Sequence, residues 1–317
     1  MRVPDEISLR EIRDARGRIA GMALRTPLVR LNVDDAPAEI YLKLENLQPI
    51  GSFKLRGAGN AMAMIPRGTM ALGVYTASAG NMAQGVAWSA RLMGTRCRVI
   101  VPDHAPRTKL EAVERLGGEV VKVPFDDWWR ILVEHGHPAE RGVFIHPVSD
   151  PRVIAGNGTI ALEILEDLPD VDAIVVPYGG GGLSCGIASA IRAVKPEVKV
   201  LACEVETAAP LAASLNAGSP QTVPYTPSFV DGIGARSLLP EMWPLASRLL
   251  DDSLVMSLAA VSDALRLLAE RNRVIAEGAG ATPVAAALSG KAGKGKVVCV
   301  VSGGNIDREK LAELLGA

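Results

Sequence analysis

Residues 173–184 read Ala173-Ile174-Val175-Val176-Pro177-Tyr178-Gly179-Gly180-Gly181-Gly182-Leu183-Ser184. The short apolar run Ala173–Val176 bounded by turn residues predicts a buried strand, and the apolar spacing from Leu183 to Val194 predicts a helix. Between them, Gly179 to Gly182 let successive amide N–H groups turn toward one anion, to which the following helix adds its positive end. A flexible turn is the alternative, but four adjacent glycines entering a helix carry a high entropic cost if they serve nothing. The loop is not a Walker loop, because no Gly-Lys-Ser/Thr follows, and it lacks the G-x-G-x-x-G spacing of a dinucleotide site.

The same grammar of strand, loop and helix runs through the chain. Strands are predicted at Ile40–Glu45, Val74–Thr76, Cys97–Val101, Val120–Val123, Val143–Ile145, Val198–Cys203 and Lys296–Val301. Helices are predicted over about Met82–Leu92, Thr108–Leu116, Trp128–Glu134, Ile160–Leu168, Val261–Asn272, Thr282–Leu288 and Arg308–Leu315. Ser8-Leu9-Arg10-Glu11 is a capping box that opens a helix carrying Ile12, Ala15 and Ile19 and ending near Gly21. Strands alternating with helices mean α/β architecture with mostly parallel sheets covered on both faces. The length suits two domains sharing a cleft. The break at His135-Gly136-His137-Pro138 marks the end of a small unit, so residues 1–70 and 150–317 are expected to form a larger domain and 71–149 a smaller one inserted in it. In such sheets ligands sit beyond the carboxyl ends of strands, where each glycine-containing loop falls.

Gly51-Ser52-Phe53-Lys54-Leu55-Arg56-Gly57-Ala58 follows the strand at Ile40–Glu45, and Ser52 is placed to cap a helix starting at Phe53. An ammonium at Lys54 is disfavoured by the helix dipole and by any burial, which pushes the amine toward its nucleophilic form. Lys54 is therefore a candidate Schiff-base former, against the plain alternative of a solvated lysine on a helix face. Thr76-Ala77-Ser78-Ala79-Gly80-Asn81-Met82 repeats the strand-loop-helix geometry, and its amides, with Ser78 and Asn81, are suited to a carboxylate or to a simple helix cap. Val300-Val301-Ser302-Gly303-Gly304-Asn305 is a third such loop, read either as an ordinary turn or as a hydroxyl presented to a ligand. A reactive lysine, a phosphate cradle, a carboxylate loop and a hydroxyl together describe pyridoxal 5'-phosphate chemistry on an amino acid.

Composition excludes other classes. Hydrophobic residues make 48% and charged residues 22%, with net charge −1 and no basic stripe, so nucleic acid is not an expected partner. Cys97, Cys185, Cys203 and Cys299 are scattered in apolar runs without metal-ligand spacing, which predicts buried free thiols in a reducing compartment. The N-terminus, Met1-Arg2-Val3-Pro4-Asp5-Glu6, has no apolar signal core, and no apolar run is long enough to span a bilayer, so a cytoplasmic, membrane-free protein is expected. Asn157-Gly158-Thr159 matches a glycosylation sequon that is idle in that compartment.

From Arg25-Thr26-Pro27-Leu28-Val29 to Ser302-Gly303-Gly304-Asn305, nearly the whole chain resembles the threonine/serine dehydratase and serine racemase branch of the tryptophan-synthase-β-like pyridoxal-phosphate enzymes. The resemblance implies that Lys54 carries the cofactor as a Schiff base and then acts as the base at Cα, with Phe53 packed near the ring. It further implies that Asn81 bonds the 3-hydroxyl, that the amides of Gly179, Gly180, Gly181, Gly182 and Leu183 hold the phosphate, and that Ser302 faces the pyridine nitrogen. Ser78, Ala79, Gly80, Asn81 and Met82 would grip the substrate carboxylate. The implied reaction is loss of water from a β-hydroxy amino acid such as threonine or serine, giving a 2-oxo acid and ammonia, in a homodimer.

Three departures from the family pattern shape the expectation. Ala79 replaces the serine that racemases use on the opposite face, which favours elimination over racemisation. Met82 replaces a histidine, from which a bulkier or more apolar β-substituent, such as a β-aryl serine, is expected. Glu204 and the Ala208 carbonyl match a Mg²⁺ or Ca²⁺ site of some relatives, but Pro210 stands where a carboxylate completes it. No regulatory domain follows the catalytic region, so feedback inhibition by isoleucine is not expected. The competing readings are racemisation or β-replacement on the same cofactor, and a colourless, non-catalytic phosphate or nucleotide binder.

Overall fold

Two sheets assemble from the predicted strand runs in the computed structural model, which describes residues 6–316. Met1 to Asp5, most of the segment expected to lack a signal core, and Ala317 lie outside the described residues. The strands in chain order are β1 (Leu28–Arg30), β2 (Glu39–Leu44), β3 (Val74–Ala77), β4 (Cys97–Pro102), β5 (Glu119–Val123), β6 (Val143–Phe144), β7 (Ala173–Pro177), β8 (Lys199–Val205), β9 (Asp252–Met256) and β10 (Lys296–Val301). The larger sheet has the order β1-β2-β10-β7-β8-β9, parallel except for the short β1 edge, and the smaller has the all-parallel order β5-β4-β3-β6.

Parallel neighbours need long crossovers, and helices supply them. Helices α1 (Leu9–Arg18), α2 (Lys54–Ala63), α3 (Arg67–Met70), α4 (Asn81–Met93), α5 (Arg107–Arg115), α6 (Phe125–Val133), α7 (Pro151–Asp167), α8 (Gly182–Val194), α9 (Pro210–Ala217), α10 (Trp243–Leu249), α11 (Leu258–Leu267), α12 (Gly278–Leu288) and α13 (Arg308–Gly316) follow in order. Ile12, Ile160, Ile187, Ile191 and Leu245 close one face of the larger sheet, while Val261, Leu265, Val284 and Leu314 close the other. Each fully buried Ile, Leu or Val contributes roughly 1.5–3 kcal/mol through removal of its apolar surface from water.

The pairing order decides where the site lies. β10 sits between β2 and β7, so Lys54 after β2, Ser302 after β10 and the glycine loop after β7 leave three neighbouring strand ends. Helix α2 packs on both halves: Ala58, Ala61 and Met62 join the smaller sheet's core, whereas Gly57 meets α7. A Cβ on Gly57 would approach Val153 and Asn157 within 2.8 Å, and one on Gly156 would stand 2.4 Å from the Arg56 carbonyl oxygen. Only glycine permits this backbone-to-backbone approach.

Several elements depart from expectation. Helix α7 begins at Pro151, well before Ile160, because Asp150 Oδ1 accepts the Arg152 N–H at 2.9 Å and Pro151 opens the first turn. The two glycines that weaken the sequence signal there are packing contacts. Helix α2 starts at Lys54, and Ser52 does not cap it: Ser52 bridges Gly303, the Phe53 N–H donates to the Ser302 carbonyl at 2.9 Å, and the Ser52 hydroxyl is buried without a partner among the described residues. The residues between Leu258 and Asn272 form α11 followed by a π-turn. Strands β1 and β9 and helices α3, α9 and α10 have apolar patterns too short to predict them. The Ser8–Glu11 capping box forms in both directions. All four cysteines are free and buried, and the Asn157–Thr159 sequon is buried inside α7.

Candidate active site

The loops after β2, β3, β7 and β10 line one cavity of about 480 Å³, which brings together Phe53, Lys54, Ser78, Ala79, Gly80, Asn81, Met82, Gly179, Gly180, Gly181, Gly182, Leu183 and Ser302. The Lys54 side chain reaches it half-buried. Its Nζ donates to the Pro147 carbonyl at 2.8 Å and lies 5.2 Å from the Phe53 ring centroid. Burial pushes this amine down to about 8, opposed by the charge of Glu277.

Beneath Lys54, Arg56 is 1% exposed and donates to Glu45 Oε2 at 2.8 Å, to Glu163 Oε1 at 2.6 Å and to the Leu24 carbonyl. Lys43 Nζ completes the cluster at 2.6 Å from both Glu163 Oε2 and the Thr26 carbonyl. The period-two reading of β2 leaves Lys43 and Glu45 on a polar face; both are instead buried, though Tyr41 on the same face is half-buried, and Glu163 of α7 joins the charge cluster. Such a cluster resists loss of any one member, since the remaining charges would stay buried and unpaired.

Two helix N-termini open on the cavity. The amides of Gly179, Gly180, Gly181, Gly182 and Leu183, at the start of α8, find no acceptor among the described residues. The same holds for Ala79, Asn81 and Met82 at the start of α4, whereas the Gly80 amide donates to Ser78 Oγ at 3.3 Å. Gly181 has φ +93°, a left-handed turn that lets the loop double back, and Val148 packs against Gly180 and Gly182.

Asn81 holds the two halves together: its Nδ2 donates to Glu277 Oε1 at 2.9 Å, and its Oδ1 accepts from Asn305 Nδ2 at 2.7 Å. One N–H of Asn81 remains available to a ligand. Glu277 is buried, and that burial, with help from Asp231, pushes its carboxyl up to about 7. Glu277 and Pro147 escape sequence reasoning, since an isolated glutamate before Gly-Ala-Gly-Ala and a proline carbonyl carry no motif, and Asn305 is read there only as the end of a loop.

The Met82 side chain is 1% exposed and packs in the smaller sheet's core, so it offers little surface to a ligand. The apolar wall of the cavity comes instead from Phe125, Trp128, Pro102, Ala105 and Pro106, with His104 beside Phe125 at a ring distance of 5.8 Å. Lys109, also on the wall, is paired with Asp231.

Glu204 and Ala208 lie outside this cavity. The Glu204 carboxylate is fully buried and accepts the amides of Leu211 at 2.9 Å and Ala212 at 2.8 Å and the Ser253 hydroxyl at 2.7 Å. It caps α9, whose first residue is Pro210. The pair falls short of the oxygen shell of a divalent cation: three of about four acceptor sites on the Glu204 carboxylate are taken, and Pro210 offers no side-chain ligand.

The donor set of the cavity fits pyridoxal phosphate: a depressed amine for an aldehyde, a run of unpaired amides at a helix N-terminus for a phosphate, and a serine hydroxyl at the adjacent strand end. The pyridoxal-phosphate dependent enzyme family profile matches residues 19–303. The chain is 41% identical to L-threonine ammonia-lyase of Thermotoga maritima over 306 residues, 95% of this chain and 76% of that protein. It is 37% identical to the catabolic L-threonine dehydratase of Escherichia coli over 318 residues, 98% of this chain and 96% of that one. The structure of maize serine racemase superposes with a TM-score of 0.88 at 34% identity, covering 96% of each chain.

Proposed function

This chain belongs to the pyridoxal-phosphate dependent enzyme family, and from that premise we propose that it is a lyase that eliminates water from a β-hydroxy α-amino acid and yields a 2-oxo acid and ammonia. The observation that carries the reading is Lys54: an amine pushed down to about 8, lining the same cavity as two helix N-termini with unpaired amides.

Bound pyridoxal phosphate supplies an aldehyde that captures the substrate amine and a ring that spreads the negative charge left at Cα. In this reading Lys54 is its covalent anchor and, once released, the base that takes the Cα proton; an amine near 8 suits a base working close to neutral pH. The amides of Gly179 to Leu183 would hold the phosphate, Asn81 would offer its remaining N–H to the 3-hydroxyl, Phe53 would pack by the ring and Ser302 would face the ring nitrogen. The amides at Ala79, Asn81 and Met82, with the Ser78 hydroxyl and Gly80, hold the substrate carboxylate. Lys54 would take the Cα proton and could return it to the β-hydroxyl as the Cβ–O bond breaks, so that the hydroxyl leaves as water; hydrolysis of the unsaturated amine would then liberate ammonia. The methyl of Ala79 cannot donate a proton to the opposite face, which weighs against racemisation.

The wall formed by Phe125 and Trp128 supports a substrate whose β-substituent is apolar and large, while the Lys109–Asp231 pair leaves no uncompensated cation on that wall for a second carboxylate. A homodimer in the cytoplasm completes the proposal; no helix among the described residues is long and apolar enough to cross a membrane.

The test is a coupled assay for 2-oxo acid from threonine, serine and 3-phenylserine, on protein whose visible absorbance is bleached by hydroxylamine. Release of 2-oxo acid, fastest in kcat/KM from 3-phenylserine, is the expected result. Cofactor-loaded protein that releases none from any of the three overturns the elimination reading, and a preference for serine overturns the apolar-substituent part alone.

A further inference from the structure

The turn between β6 and α7, Ile145-His146-Pro147-Val148-Ser149-Asp150, carries a buried histidine that none of the roles above uses. His146 Nδ1 accepts the amide of Val148 at 3.1 Å and that of Ser149 at 2.8 Å, with Ser149 Oγ at 3.0 Å. Amides can only donate, so Nδ1 carries no proton and the ring hydrogen resides on Nε2, which lies 3.3 Å from the Leu132 carbonyl. The ring stacks on His135 at 4.4 Å, and His135 in turn pairs with Glu241. Burial pushes His146 down to about 3, so it stays a neutral acceptor across the physiological range.

The carbonyl and the side chain that this turn projects both reach the cavity. The Pro147 carbonyl accepts the Lys54 Nζ at 2.8 Å, and Val148 packs against Gly180 and Gly182 of the glycine loop. A proline at this point has fixed φ and no N–H, so the direction of its carbonyl is set by the residues that follow, and those are tied to His146.

We propose that His146 is a positioning residue for Lys54: by accepting the Val148 and Ser149 amides it shapes the turn that aims the Pro147 carbonyl at the lysine amine and seats Val148 under the phosphate cradle. The role in turnover rests on the lyase reading, while the effect on the amine does not.

Two substitutions separate the acceptor from the packing. His146→Asn keeps an oxygen able to accept the amides two and three residues on, as in an Asx turn, but loses the stacked ring. His146→Phe keeps a ring against His135 and loses the acceptor. In cofactor-free protein, the pH dependence of Lys54 acetylation, followed by peptide mass spectrometry against Lys310 as a surface control, should match the wild type in His146→Asn and shift in His146→Phe, with Lys310 unchanged in both. In loaded protein, kcat should fall about ten- to a hundredfold in His146→Phe and stay within about threefold in His146→Asn, the scale expected when a reacting group is misplaced by about an ångström. Failure of His146→Phe to fold, while His146→Asn folds and labels normally, supports the acceptor role equally. A wild-type labelling curve in His146→Phe, or equal damage from both substitutions, overturns the proposal. Wild-type protein that shows no elimination removes the lyase reading but leaves the labelling result to decide the role of His146.

Discussion

Asn81 Nδ2 donates to Glu277 Oε1 at 2.9 Å, joining the first residue of α4, on the smaller sheet, to the residue that precedes α12 on the larger. The bond crosses the cleft beside Lys54, and it ties the ionisation of Glu277 to the relation between the two halves.

Glu277 is expected to make stability depend on pH. Burial raises its carboxyl from 4.5 to about 7, so between those values the folded chain holds a proton that the unfolded chain has released. Stability therefore falls as pH rises from about 4.5 to about 7 and is flat above, by at most about 3 kcal/mol for this group. Urea melts of cofactor-free wild type and Glu277→Gln across pH 5 to 8 should show the wild type losing ground to the variant through that window. A pH-independent difference between the two contradicts the assignment.

Lys54 is expected to capture the cofactor in its neutral form. With the amine near 8, the rate of pyridoxal phosphate uptake should climb about tenfold per pH unit below 8 and level off above it. Stopped-flow absorbance measures this directly. Lys54→Ala and Lys54→Arg should both stay colourless, the second because a guanidinium does not give up its proton.

Arg56→Met should destabilise the fold by about 3–5 kcal/mol, because it leaves Glu45 and part of Glu163 buried without their partner. Adding Glu45→Gln to that variant should recover part of the loss in a denaturant melt. Additive losses in the double variant would show that the two residues are not energetically coupled.

Mg²⁺, Ca²⁺ and chelator are each expected to leave Tm unchanged. Three of about four acceptor sites on Glu204 are held by the Leu211 and Ala212 amides and the Ser253 hydroxyl, and Pro210 has no ligand atom in its side chain, so a cation would find too few oxygens here. A rise of several degrees in calorimetry on adding either cation, lost in Glu204→Gln, would refute this.

Much of the site is legible in the sequence because its chemistry depends on local order along the chain. Glycines at 179–182 directly after an apolar run, a lysine two residues after Ser52, and Ser302 at the end of Lys296–Val301 each announce a strand end. What the sequence does not show at Glu204 is that three of its acceptor sites are occupied, two by the helix that begins a few residues later at Pro210 and one by Ser253. At Met82, likewise, only helical phase decides that the side chain turns into the core while Phe125 and Trp128 form the apolar wall.

Period and turn chemistry thus determined that this is a parallel α/β protein with a lysine at one strand end and a glycine loop opening a helix at another, because both are properties of a few consecutive residues. Which strands are neighbours, and hence that β10 brings Ser302 between Lys54 and the glycine loop, was decided only by the tertiary fold. The same holds for the Pro147 carbonyl on Lys54, the Asn81–Glu277 bond and the Arg56 cluster, whose partners lie 93, 196 and 107 residues apart. A hydrogen bond or an ion pair between distant residues leaves no periodic trace in the chain; it exists only where packing brings the two groups within about 3 Å.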